Sequence, residues 1–212
     1  MRILFPRPGA SSFIAFIFAV LALAIAGVGY FVFDYQRNSI TRSVEQRLTT
    51  IAELRAQQIA SWVSEQRANA KVQGRRSLLA NEIAQWLKRG AVDGETASAI
   101  KSQFALIAES YGYRIVTLVD AQGRPLLSTH EPPEISEVEF GAAAEAIRTG
   151  NTVISRFHLS VNKGAKEPEI DIVAPVYANE SESSPVAALI FDIDPETSLH
   201  PLIEHWPTPS PS

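Results

Sequence analysis

The sequence contains no cysteine, which removes disulfide staples, thiolate metal ligands and cysteine nucleophiles together. A large excess of charge is also missing. Against 23 Asp and Glu stand 19 Lys and Arg, a formal net charge of −4 over 212 residues, and nothing in that balance calls for a nucleic-acid partner. No phosphate-binding glycine loop, nucleophile elbow, kinase signature or cyclase signature occurs, so no catalytic residue is assigned and neither enzymatic activity nor a cofactor is expected of this chain. His130, His158, His200 and His205 do not fall at metal-ligand spacing and read as surface residues, so no metal site is expected.

Residues 13–33 lack charge altogether. As a helix they span roughly 30 Å, enough to cross a hydrocarbon core. Arg2 and Arg7 precede the run and Asp34 and Arg37 follow it, so the positive-inside rule puts residues 1–12 in the cytoplasm and the rest outside. Ala22-Leu23-Ala24 and Ala24-Ile25-Ala26 leave open a cleaved signal peptide. The apolar run is longer than a usual signal core, which favours an uncleaved, single-pass anchor in a bacterial inner membrane. Either reading carries the remaining chain across the membrane.

Residues 34–75 contain no proline, and their one glycine is Gly74. Ile40, Val44, Leu48, Ile51, Ile59, Trp62 and Val63 recur mainly at spacings of three and four, the mark of an apolar stripe on a helix. A helix of about 40 residues is a rod of roughly 60 Å. A compact domain of about 120 residues has a radius of gyration near 14 Å, too small to cover that rod. A parallel homodimer through Ile40, Val44, Leu48 and Ile51 is expected, with Arg42, Glu45 and Arg47 available for partner-selecting charge pairs. The alternative cover is a further, membrane-proximal part of the same chain.

Beyond the exit helix, Asn81 is placed to cap a helix over 81–89 that Gly90 ends, and a second helix is expected over 95–111. Strands are expected over 113–119, 125–129, 152–159, 170–177 and 186–193, with Asp120-Ala121-Gln122-Gly123 turning the first hairpin. A short alanine-rich helix over 140–148 precedes the third strand, and a last helix over 195–206 leads into a Pro/Ser tail at 207–212. The pattern predicts an α+β domain over 76–206, a five-stranded antiparallel sheet with helices on one side.

A membrane helix and a long exit helix, followed by the run Tyr113, Arg114, Ile115, Val116, Thr117, Leu118, Val119, Asp120, Ala121, Gln122, Gly123, resemble the Cache domains. These are PAS-like extracytoplasmic sensors of bacterial histidine kinases, diguanylate cyclases and chemoreceptors. The stretch Ile59-Ala60-Ser61-Trp62-Val63-Ser64-Glu65-Gln66-Arg67 is similar to the exit helix of such kinases. Asp194-Pro195, Pro201-Leu202-Ile203 and Trp206-Pro207-Thr208-Pro209-Ser210 resemble the ending of one subset of periplasmic kinase sensors. The resemblance implies the ligand-sensing input region of a signalling receptor, with a second membrane-proximal subdomain, a second membrane helix and an output domain beyond this part. An anchored binding or scaffold protein without signalling output is the alternative.

Strand alternation nominates a site. Side chains of one parity share a sheet face. Arg156 and His158 share parity on the third strand, Asp171 lies with Val173 on the fourth, and Asp192 follows Ala188 and Ile190 on the fifth. Ile170, Ile172, Leu189 and Phe191 would then face the helices. Two cations and two carboxylates on one face could hold a small zwitterion; ordinary cross-strand ion pairs on a solvated face are the alternative. The resemblance gives Asp192 the place where amino-acid-binding Cache domains carry the carboxylate that holds the ligand's amine, although their tyrosine, arginine and tryptophan cluster has no match here. Tyr111 and Tyr113 read as core aromatics.

Overall fold

The computed structural model describes residues 10–75, 78–92, 94–162, 165–178 and 184–204, excepting the side chains at 10–15, 34, 36–45, 161, 162, 165, 166 and 204. The chain divides into two compact units, Met1–Leu54 and Arg55–Ser212. Helix α1 runs unbroken over Ala10–Arg75, as the absence of proline permits. Within it, Phe16–Phe33 is long and apolar enough to cross a membrane, and none of its residues is buried in the protein. Of the stripe expected to pair helices, the Ile40 and Val44 side chains lie outside the described set; Leu48 is exposed and Ile51 half-buried. The Pro/Ser tail likewise lies outside the described residues.

In the second unit the same helix becomes part of a core. Trp62 packs against a cluster that includes Ala70, and Ala70 is fully buried. Two further helices join this layer, α2 (Leu78–Lys88) and α3 (Glu95–Tyr111). The start of α2 lies before Asn81, which therefore sits inside the helix and does not cap it. Leu79, Ile83 and Trp86 of α2 and Ile100, Phe104 and Ile107 of α3 fill the cluster at helical spacing. Gly112, in the left-handed conformation at φ 72°, ends α3 where a side chain would be strained. Tyr113 follows in the core: its ring lies 5.8 Å from Tyr111 and 4.9 Å from Phe191, and its hydroxyl donates to Gln66 at 3.2 Å.

The sheet is antiparallel and has six strands, one more than expected: β1 (Ile115–Asp120), β2 (Pro125–Ser128), β3 (Val153–Ile154), β4 (His158–Asn162), β5 (Ala165–Val176) and β6 (Ala187–Ile193). Their order is β2-β1-β6-β5-β3, with β4 also pairing β5. All seven residues of β6 are buried, since it is central and both its faces are covered. Pro175 is tolerated in β5 because its neighbour two residues on, Tyr177, points its N–H away from β6, to the Gly74 carbonyl at 3.1 Å. Pro175 has the same direction, so its missing N–H interrupts no β5–β6 bond. Gly74 is required at this approach, since a Cβ there would overlap the Pro175 carbonyl oxygen.

Three expectations need correction. Helices cover both faces of the sheet, not one. Helix α4 (Glu137–Thr149) packs Ala142, Ala143 and Ala146 against Val173, Ala188 and Ile190, the face opposite α1–α3. Its start, three residues before the expected one, is set by a capping box in which the Ser136 side chain accepts from Glu139 N–H and the Glu139 carboxylate accepts from Ser136 N–H. The expected third strand is also divided. Val153 pairs with Val173 and Ile154 with Ile172, yet His158 pairs with Glu169 rather than Pro168, one extra residue on the outer strand. The expected last helix is likewise two short turns, α5 (Pro195–Ser198) and α6 (His200–Glu204).

Candidate functional site

The face of the sheet under the N-terminal turn of α4 carries an unusual density of carboxylates. Glu167, Glu169 and Asp171 alternate along β5, so all three point to the α4 side with Val173. Asp171 is the register partner of Asp192 on β6, and Asp192 is the partner of Ile115 on β1. Glu139 reaches down from the first turn of α4 and is itself buried. Glu169, Asp171 and Asp192 are 2%, 0% and 3% exposed, and ionised carboxylates at such depth require partners.

The principal partner is Arg114, directly before β1. Its Nε donates to Asp192 Oδ2 at 2.8 Å and its Nη2 to Asp192 Oδ1 at 3.1 Å. Nη2 also donates to Glu169 Oε2 at 2.7 Å, and Nη1 to Glu167 Oε2 at 2.7 Å. One guanidinium fork thus holds three carboxylates, a use that its planar set of donors permits and an ammonium would not. Burial by itself would lower the Arg114 pKa, but its hydrogen bonds to Asp192 and the charges of Asp192, Glu169 and Glu167 raise it overall.

His158 supplies the second nitrogen centre. Its Nε2 lies 3.2 Å from Glu169 Oε1 and 3.8 Å from Asp171 Oδ2, with Ser136 Oγ at 3.3 Å. Among the described residues neither oxygen of Asp171 has a hydrogen-bond partner. Desolvation by burial, then the charges of Glu139 and Glu169, push the Asp171 carboxyl up to about 9. Burial pushes Asp192 up to about 7 against the opposing Arg114 hydrogen bond. Burial raises Glu139 as well. Above these groups lies a cavity of about 300 Å³, walled by Ile115, Thr117 and Ser128 from the first hairpin, Ser136 and Glu139 from α4, and Leu159 from β4, with Glu169 and Asp192 on its floor. That volume is at the small end for ligand sites.

His158, Asp171 and Asp192 therefore lie together, whereas Arg156 does not join them. The extra residue between β3 and β4 reverses the alternation, so Arg156 and His158 no longer share a face. The Arg156 side chain is exposed and borders a separate shallow hollow with Glu137 and Glu145. Its backbone oxygen alone touches the cluster, 3.2 Å from His158 Nδ1. Arg114, Glu139 and Glu169 are the residues that sequence reasoning missed. A strand started at 165 rather than 170 would have found Glu169 by parity. Arg114 has no such signal, because alternation through the first strand assigns it to the face of Val116 and Leu118.

No protein-family model matches the sequence, and no curated protein matches it. Solved structures do match. The sensory domain of the Campylobacter jejuni chemoreceptor Tlp3 (CcmL) with isoleucine bound superposes with a TM-score of 0.58 at 16% identity, over 80% of this chain and 66% of that one. The fold is that of a Cache-type sensory domain. The ligand-binding domain of the Pseudomonas aeruginosa PAO1 amino acid chemoreceptor PctC in complex with GABA gives a TM-score of 0.52 at 19% identity, over 76% of this chain and 68% of that one. The corresponding domain of PctB in complex with L-Arg gives 0.52 at 17% identity, over 75% and 61%. The chain thus spans about two thirds of the length of these Cache neighbours or less.

Proposed function

We propose that this chain is the ligand-sensing input region of a transmembrane receptor, anchored by its apolar helix with the Cache-fold domain outside the cytoplasm. A histidine kinase or diguanylate cyclase is the proposed output, with a chemoreceptor output as the form the neighbours favour. What carries the reading is the walled cavity whose floor and rim hold more carboxylate than cation. Such a site selects a small molecule bearing a positive group, because that group offsets charge that is already desolvated. Asp192 and Glu169 are the proposed contacts. Both oxygens of Asp192 already accept from Arg114, so the ligand competes with that guanidinium for them. Binding then differs between two arrangements of Arg114, and a ligand biases a receptor only through such a difference.

The test is a thermal-shift screen of the detergent-solubilised chain against L-amino acids and small mono- and diamines, including the isoleucine, arginine and GABA bound by the neighbours. At least one is expected to raise the melting temperature, and Asp192→Asn is expected to weaken that ligand by tenfold or more, about the worth of a charge-assisted hydrogen bond. Asparagine keeps the side-chain volume, which alanine would not. A panel without effect, or a shift that Asp192→Asn leaves intact, counts against the reading.

Orientation and pairing are tested together. We propose an inner-membrane anchor and a parallel homodimer through Ile40, Val44, Leu48 and Ile51. The support is the helical spacing of the four and the exposure of Leu48. A cysteine at Val44 is the single thiol in the chain. A membrane-impermeant bis-maleimide added to intact spheroplasts is expected to join two copies at 44 and far fewer at Ser43. Failure of the thiol to react at all overturns the orientation; modification without joining overturns the dimer.

A further inference from the structure

The geometry points to a divalent transition-metal site of the Zn²⁺ class formed by Glu139, His158 and Glu169, with Asp171 completing it from below. The inference stands independently of the small-molecule reading above. One potential ligand atom from each of Glu139, His158 and Glu169 lies within 4.8 Å of the others, and the same holds for Glu169, Asp171 and Asp192. Zinc bonds to imidazole nitrogen and carboxylate oxygen are about 2.0–2.1 Å long, so the edges of a tetrahedron around it are roughly 3.3 Å. His158 Nε2 stands 3.2 Å from Glu169 Oε1 and 3.8 Å from Asp171 Oδ2, close to such edges before any adjustment.

Two further observations point to a cation between these groups. The Asp171 carboxyl is fully buried and neither oxygen has a hydrogen-bond partner among the described residues, although it faces His158 Nε2. A carboxyl so placed stays neutral by holding a proton or is ionised beside a counter-charge. The other ring nitrogen of His158, Nδ1, lies 3.2 Å from the Arg156 carbonyl oxygen. A proton on Nδ1, donated to that carbonyl, leaves Nε2 with its lone pair directed at Glu169 and Asp171. Ser136 Oγ also stands 3.3 Å from Nε2. Lone pairs facing one another repel unless a proton or a cation sits between them, and an Nδ1–H to carbonyl bond is the usual way a metal-binding imidazole is oriented. Glu139 retains ligand capacity because the capping box uses its Oε2 for the Ser136 N–H, and a carboxylate has a second oxygen. One imidazole among carboxylates selects a first-row transition ion over Ca²⁺ or Mg²⁺, which favour all-oxygen shells. The Arg114 fork, which holds Glu167, Glu169 and Asp192, leaves Glu139 and Asp171 without a share of its charge.

The experiment uses the full chain in detergent, stripped with a chelator and titrated with Zn²⁺ alone against a chromophoric competitor. One Zn²⁺ per chain is expected. His158→Ala and Glu169→Gln should each weaken uptake at least tenfold, Asp171→Asn should do the same, and Arg156→Ala, which keeps the backbone carbonyl, should change nothing. Should a variant fail to fold, X-ray absorption of the zinc-loaded native chain decides: one imidazole among oxygen scatterers at about 2.0 Å supports the site. No stoichiometric uptake, uptake that survives both His158→Ala and Glu169→Gln, or an absorption spectrum without imidazole overturns it. Zinc uptake with no response to amines or amino acids keeps the metal site while the sensing proposal fails, and the reverse result separates them the other way.

Discussion

Arg114→Met is expected to cost about 3–5 kcal/mol of stability at pH 7.5, the range for removing one partner from a buried ion pair. For a chain of this size that is a fall in melting temperature of roughly 6 °C or more. Methionine keeps most of the packing of the arginine stem, so the loss reports charge and hydrogen bonds. The side chain is 23% exposed, and it serves Glu169 and Asp192, which are almost fully enclosed, and the half-exposed Glu167. Without it these carboxylates face each other, with the His158 imidazole 3.2 Å from Glu169. They then take up protons, so the deficit should shrink at pH 5. Arg114→Lys should recover only part of the loss, because a single ammonium cannot serve Asp192 with two parallel bonds and reach Glu167 and Glu169 as well. A deficit under 1 kcal/mol at pH 7.5, or one independent of pH, would show that the carboxylates are satisfied by other means.

Stability of the metal-free chain should fall as pH rises from about 5 to 9, in contrast to the acid lability of a protein whose carboxylates are well paired. Asp171 is raised from its ordinary 3.8 to about 9 and Asp192 to about 7. Between the unfolded and folded values the native state holds a proton that the unfolded chain has released. The stabilisation is therefore complete below the unfolded pKa and is lost as pH rises through the folded one. Both groups contribute to the slope up to about pH 7, and Asp171 alone continues it to about 9. Each is worth on the order of 1 kcal/mol per pH unit within its window. Asp171→Asn, neutral at every pH, should flatten the fall above pH 7 and melt higher than the native chain at pH 8. Chemical denaturation at pH 5, 7 and 9 in the presence of a chelator measures this. A stability that rises over that range would reject the buried, protonated Asp171.

Local pattern and long-range geometry contributed differently. The charge-free run, the unbroken exit helix and the helix over Glu95–Tyr111 were legible in the sequence. Helical periodicity, missing proline and a terminal glycine act within a few residues of each other, and so they are written locally. The same holds for the shared face of Asp171 and Asp192, since alternation within β5 and β6 survives whatever those strands pair with. The resemblance to Cache sensors named the fold that the solved neighbours display.

Alternation fails where a strand's continuity is itself a tertiary matter. One residue inserted between β3 and β4 moved Arg156 off the site face, and nothing in residues 152–159 marks that shift, because it follows from how β5 is paired on its outer side. Arg114 enters the cluster from outside its strand, drawn by three carboxylates that lie 53, 55 and 78 positions further along the chain. Glu139 lies just before the helix expected over 140–148 and becomes a site residue because α4 starts at Glu137 and packs on the sheet's second face. Sequence alone thus determined most of the helices and strands, and which side chains share a face within a strand that runs without a break, as in β5 and β6. The tertiary structure decided which faces meet, and with them the excess of carboxylate over cation, because burial and charge proximity are properties of elements brought together and not of any one of them.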